Sequence, residues 1–224
     1  MLIKVLAINF VAVAGTILVT PFDKLGGQFD EKGFITYVSV IQLLMLSYYG
    51  YKVFRERAKS IKHPWQSSIT IWAMVSVGFF FLALDDFIAI HEGIDIMIHS
   101  IGSFQETGLS DRIDDLIVGL YGLIAIGLLA MYRRELKKYR HAFPYVIAGF
   151  TMLFLMVGVD VLTNRDDILL TFLSREVTDN IMGWVFILEE SLKLLSEAVL
   201  IVAVYSCYQQ AKQLTQNSET LRPE

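Results

Sequence analysis

The sequence predicts an all-α integral membrane bundle of about six transmembrane helices with the N and C termini in the cytoplasm. Three observations lead there. First, 54% of the 224 residues are apolar and 19% are charged, with a mean hydropathy of +0.52, too apolar for an ordinary water-soluble surface. Second, six apolar segments are long enough to cross a hydrocarbon core of about 30 Å, which takes about 20 residues at 1.5 Å each. Third, Lys and Arg gather in alternate loops, the signature of cytoplasmic connections.

The six segments fall at about 2 to 20, 35 to 54, 69 to 91, 113 to 132, 143 to 163 and 181 to 206. The first follows Lys4 and resembles a signal peptide, but no small-residue cleavage site precedes Pro21 and Phe22, so it reads as a retained helix. Lys52, Arg55, Arg57, Lys59 and Lys62 follow the second segment, and Arg133, Arg134, Lys137, Lys138 and Arg140 follow the fourth. The other loops hold only Lys24 and Lys32, then Arg112, then Arg165 and Arg175. Short basic runs beside a membrane are topology signals and contacts to anionic lipid, so membrane lipids are expected partners and nucleic acid is not. The connecting loops are short, which favours antiparallel packing of sequential helices in one domain, residues 1–212. Residues 213–224 are polar and are expected to form a flexible cytoplasmic tail. Cys207 is the sole cysteine, which excludes an internal disulfide and a thiolate metal cluster within one chain.

The chemistry concentrates at the end of the third segment, where Leu84-Asp85-Asp86-Phe87-Ile88-Ala89-Ile90-His91-Glu92 closes a run containing Phe79, Phe80, Phe81 and Leu82. An ionisable side chain facing lipid costs about 2.5 to 3.5 kcal/mol on insertion scales, so such a cluster must be paired, metal-bound or open to water. With the predicted orientation, these residues share the outer membrane half with Asp160 and with Glu189 and Glu190 of the sixth segment, while Lys193 lies near the midplane and Glu197 below it. Helical spacing places Asp85, Glu92 and His99 on one stripe with Asp95, and Glu190, Lys193 and Glu197 on another. His91 borders the first stripe and Glu189 the second.

Plainer roles are expected elsewhere. Asp114 and Asp115 open the fourth segment, where anions complement a helix N-terminus. Asp111, Asp166 and Asp167 read as solvated loop acids. Lys193 most simply neutralises Glu189, Glu190 or Glu197. Gly119, Gly122, Gly127, Gly149 and Gly158 would permit close helix approach within the chain or between chains.

Leu84-Asp85-Asp86-x-x-x-x-His91-Glu92, together with Glu189-Glu190-x-x-Lys193-x-x-Ser196, resembles a pattern in uncharacterised bacterial multi-pass membrane proteins. Their pattern is Leu-Asp-Glu-x-x-x-x-His-Glu with a late Glu-Glu-x-x-Glu-x-x-Gly. Here Asp86, Lys193 and Ser196 stand where that pattern has Glu, Glu and Gly. The resemblance implies a bacterial inner membrane and no particular activity.

Three functional expectations follow. In the first, Asp85, His91, Glu92 and Glu190, with Asp160 and His99 in support, bind a divalent metal ion (Zn, Fe or Mn) at a site open to the external side. Such a metal would activate a water, with Glu189 or Asp86 as general base, in a hydrolase or oxidoreductase acting on a lipid-like substrate. In the second, the same carboxylates form a proton or cation relay, which the continuation of the polar face through Lys193 to Glu197 favours. A structural or accessory subunit that docks another membrane protein or a second copy is the third reading.

Overall fold

The computed structural model of the chain describes residues 2–20, 27–29, 33–90, 93–94, 97, 113–163, 170–172 and 174–220, and for a few of these, Asp160 among them, the backbone alone. Every regular element among the described residues is helical: α1 (Leu2–Val19), α2 (Phe34–Ala58), α3 (Thr70–Ile88), α4 (Ile113–Met131), α5 (Phe143–Thr163) and α6 (Arg175–Thr220), with short turns at Pro64–Gln66 and across Arg133–Ala142. Apolar side chains run almost unbroken through these helices, and proline stays out of their interiors. Pro21 follows α1, Pro64 opens a 3₁₀ turn, and Pro144 sits in the first turn of α5, where its missing N–H costs nothing. Among the described residues, α1, α2, α3 and the stretch Arg133–Val159 are long and apolar enough to cross a membrane, and Gly119–Met131 of α4 is a shorter apolar helix.

The central helix is α6, which packs against α1, α2 and α5, with α3 outside α2 and α4 outside α5. Contacts fix the directions. Ser39 meets Glu197 and the Glu56 carbonyl meets Thr215, so α2 and α6 run parallel. Ser47 lies 3.3 Å from Ser76 and Tyr37 stacks near Phe87, so α3 returns antiparallel to α2. Gly149 faces Ser196 and Leu200 so closely that a Cβ there would stand 2.6 Å from Leu200 Cγ, which makes it the contact glycine of α5 and α6. Gly50 plays the same part between α2 and α3, 3.1 Å from the Ser76 nitrogen by the same measure. Gly122 and Gly119 face Phe154 and Val157 of α5, whereas Gly127 and Gly158 face open space within the chain.

Two apolar clusters form the core. One joins Leu46, Val53, Trp72, Tyr139, Ile201 and Ala203 toward the basic end of the bundle, and the other joins Phe29, Ile35, Ile187 and Leu194 toward the opposite end. The outer surface is apolar as well: Phe10, Leu18, Val77 and Ile147 are each more than half exposed. In water such a surface would aggregate, and in lipid it is the solvated face.

The basic end is closed by a buried ion pair. Arg57, in the last turn of α2, donates from Nε to Glu135 Oε1 at 3.0 Å, and Lys138 reaches Glu135 Oε2 at 2.5 Å. Tyr139 packs edge-on against Trp72 at 5.0 Å between ring centres, and Gln210 of α6 donates to the Lys138 carbonyl at 2.6 Å. Where a loose tail is expected from Gln213, α6 continues to Thr220, and the buried Thr215 donates to the Glu56 carbonyl at 3.1 Å.

One expectation changes. The third segment is read as helical to residue 91, but α3 ends at Ile88 because Ala89 adopts a left-handed conformation (φ 53°, ψ 54°). His91, Glu92, Asp95 and His99 lie outside the described residues, as do Asp111, Asp166 and Asp167.

Candidate functional site

Between the two apolar clusters lies a polar layer drawn from α1, α2, α3 and α6. Its centre is Lys193. The ammonium donates to Asp86 Oδ1 on α3 and stands 3.7 Å from Glu190 Oε2, one turn earlier on α6. Although α3 and α6 do not pack along their lengths, this long side chain reaches from one to the other. Asp85, the neighbour of Asp86, is 4% exposed, and Glu189 is 8% exposed. Neither is isolated, and Glu190 also has further interactions.

Glu197, one turn beyond Lys193 and 4% exposed, accepts a 2.7 Å hydrogen bond from Ser39 Oγ on α2. One turn along α2, Gln42 forms a reciprocal amide pair with Asn9 of α1: Gln42 Nε2 donates to Asn9 Oδ1 at 2.7 Å, and Asn9 Nδ2 donates to Gln42 Oε1 at 3.4 Å and to the Leu194 carbonyl at 3.3 Å. Ser196 turns its hydroxyl back to the Lys193 carbonyl at 2.8 Å, a local bond that satisfies the hydroxyl without a partner on another helix.

Charge decides what the layer can do. Lys193 joins Asp86 to Glu190, and Glu197 follows one turn along the same face of α6. In a medium of low dielectric the negative charge of such a group must be relieved by protons, by cations or by donors. Hydrogen bonds relieve part of it at Glu197 Oε1 and Asp86 Oδ1, while Asp86 Oδ2 and Glu197 Oε2 are buried and accept none among the described residues.

Asp85 and Asp86 lie on α3 and Glu189, Glu190, Lys193 and Glu197 on α6, and of these Asp86 and Glu190 meet Lys193. Asp160 lies near the end of α5, with its side chain outside the described set, and Asp114 and Asp115 fall in the first turn of α4. Among the described residues no three His, Cys, Asp or Glu side chains come together as a metal-holding group. Sequence reasoning missed Asn9, Ser39 and Gln42. The available signal was polar side chains in otherwise apolar segments, Ser39 and Gln42 being spaced one turn apart. The apolar groove between α4 and α5, lined by Ile126, Val146, Phe150 and Phe154, lies away from all of these charges.

Helical spans with lipid-like surfaces around an acid-rich polar layer define a helical membrane protein. The chain belongs to the family described as Domain of unknown function (DUF8692), whose profile matches residues 2–208 and so takes in all six helices, ending within α6. That is a family with no characterised activity, as the motif resemblance implies. No curated protein matches the chain, and no solved structure does.

Proposed function

We propose that this chain crosses a membrane six times, with both termini in the cytoplasm, and that its polar layer binds and passes a proton or small cation. The observation that carries the reading is the polar face of α6 through Glu190, Lys193 and Glu197, tied to Asp86 of α3, on which Asp86 Oδ2 and Glu197 Oε2 are buried acceptors with no donor among the described residues. Buried acceptors of this kind take up a proton or an exchangeable cation. Orientation rests on the basic residues at the ends of α2 and α4, which the Arg57–Glu135 pair draws to one end of the bundle, and the positive-inside rule makes that end cytoplasmic. The motif resemblance points to a bacterial inner membrane.

The test is flux in liposomes. Purified protein reconstituted with a pH-sensitive dye should dissipate an imposed proton or alkali-cation gradient faster than empty liposomes. Glu197→Gln and Asp86→Asn, which keep shape and remove charge, should slow that flux by about tenfold or more. Wild-type liposomes that leak no faster than empty ones would sink the reading.

A divalent metal site is the second reading, supported by Asp85, which is buried on the helix that Lys193 ties to Glu190. His91 and Glu92 would complete it with Asp85 and Glu190. Metal near one per chain by elemental analysis, lost in Asp85→Ala and Glu190→Ala, would replace the relay with a metal centre.

A further inference from the structure

Of the two basic runs, the one that follows α2 is largely engaged within the chain. Arg57 pairs with Glu135, Lys59 pairs with Glu56 at 2.7 Å, and Lys52 lies 5.2 Å from the centre of the Tyr48 ring. The run between α4 and α5 differs. Arg133, Arg134, Lys137 and Arg140 are exposed, and none of them forms an ion pair or a side-chain hydrogen bond among the described residues. Glu135, the acid of this turn, is buried and held by Arg57 and Lys138, so it does not neutralise the other four.

An apolar groove begins beside these cations. Helix α4 closes on α5 where Gly119 and Gly122 face Val157 and Phe154. Between that contact and the basic turn, Ile126 and Leu129 of α4 and Val146 and Phe150 of α5 line a groove that continues to Leu155. Leu129 stands one helical turn before Arg133. From Val146 to Leu155 the groove extends about 14 Å at 1.5 Å per residue, close to half of a hydrocarbon core of about 30 Å.

We propose that the α4–α5 hairpin binds one anionic phospholipid, with an acyl chain in the groove and the phosphate facing Arg133, Arg134, Lys137 and Arg140. Charge selects the headgroup. Four cations without a free carboxylate among them attract an anionic lipid and repel the ammonium of a zwitterionic one. The groove selects a lipid over a soluble phosphate, because its walls offer apolar surface along the length of one leaflet. The proposal rests on α4 and α5 crossing a membrane, and not on the ion relay.

Lipid competition tests it. The full chain, purified in detergent, is mixed with equal amounts of phosphatidylglycerol and phosphatidylcholine carrying the same acyl chains, and the lipid retained per chain is counted by native mass spectrometry. Wild type should keep one phosphatidylglycerol, in preference to phosphatidylcholine by about tenfold or more. Arg133→Gln, Arg134→Gln, Lys137→Gln and Arg140→Gln together should erase the preference, while Arg55→Gln with Lys62→Gln, in the other basic run, should keep it. Ile147→Trp, at an exposed position of the groove, alters no charge and should lose the lipid. Excess glycerol phosphate should not displace it. Equal retention of the two lipids by wild type would overturn the proposal, as would a preference that survives either the four Gln changes or Ile147→Trp, a preference lost with Arg55 and Lys62, displacement by glycerol phosphate, or a lipid-free dimer, which would put a second copy on the groove. Should the fourfold variant fail to fold, melting followed by circular dichroism decides. Phosphatidylglycerol should raise the wild-type midpoint by about 3 °C or more over phosphatidylcholine and leave Ile147→Trp unmoved; equal midpoints for wild type again overturn it. Release of the chain from membranes by high salt without detergent would refute the crossing itself, whereas equal lipid retention by detergent-extracted chain refutes this site alone.

Discussion

Replacing Glu135 by Ala removes the acceptor for two cations at the basic end of the bundle, and the size of the loss follows from how buried each partner is. The Lys138 side chain is 44% exposed, so its bond to Glu135 is screened and contributes at most about 0.5 kcal/mol. The Arg57 side chain is 10% exposed and Glu135 is fully enclosed. Breaking a buried pair by deleting one partner costs about 3 to 5 kcal/mol, because the other charge is left buried without compensation. Glu135→Ala should therefore destabilise by about that amount, and Glu135→Gln, which keeps a neutral acceptor for Arg57, by about 2 kcal/mol. The double change Arg57→Met with Glu135→Leu removes both charges and should recover to within about 1.5 kcal/mol of wild type. Unfolding by SDS titration in mixed micelles, followed by tryptophan fluorescence, measures all three. A loss below about 1 kcal/mol in Glu135→Ala, or a double variant as weak as that single one, would refute the reasoning.

Two further outcomes test the backbone and the packing. Gly149→Val, which pushes a branched side chain into Leu200, should cost about 1 to 3 kcal/mol in the same titration, while Gly127→Val, with nothing within 4 Å, should change stability by less than about 0.5 kcal/mol. Ala89→Gly should be neutral or stabilising by up to about 1 kcal/mol, since a left-handed alanine is strained and glycine is not, and Ala89→Val should lose stability; a loss in Ala89→Gly would argue against that strain.

The helical spans are legible because lipid imposes the same demand on every residue of a segment: α5 matches its expected range, and α1 and α4 differ from theirs by one residue at the C-terminal end. Ala89 defeats the same logic. Alanine favours helix more than any other residue, so no sequence signal marks the point where α3 stops. The site is legible on single helices and not across them. Spacing shows that Lys193 can reach Glu190, but its bond to Asp86 depends on how α3 and α6 are set relative to one another, which no periodicity encodes. Asn9 and Gln42 likewise carry no sign of being each other's partner. Arg57 is counted at first only as a topology charge, and its second role depends on Glu135, which lies 78 residues away.

The length of α6 joins these observations. Forty-six residues in one helix extend about 69 Å, far more than a bilayer core requires, and beyond Gly183 the helix contains no glycine or proline at which to bend. The same rod carries Glu190, Lys193 and Glu197 at one level and Gln210 and Thr215 at another. A helix without a joint rolls or slides as a unit. Any rearrangement of charge around Lys193 that turns α6 must therefore also drag the contacts of Gln210 and Thr215, so that an event in the polar layer is delivered as torque to the basic end of the bundle.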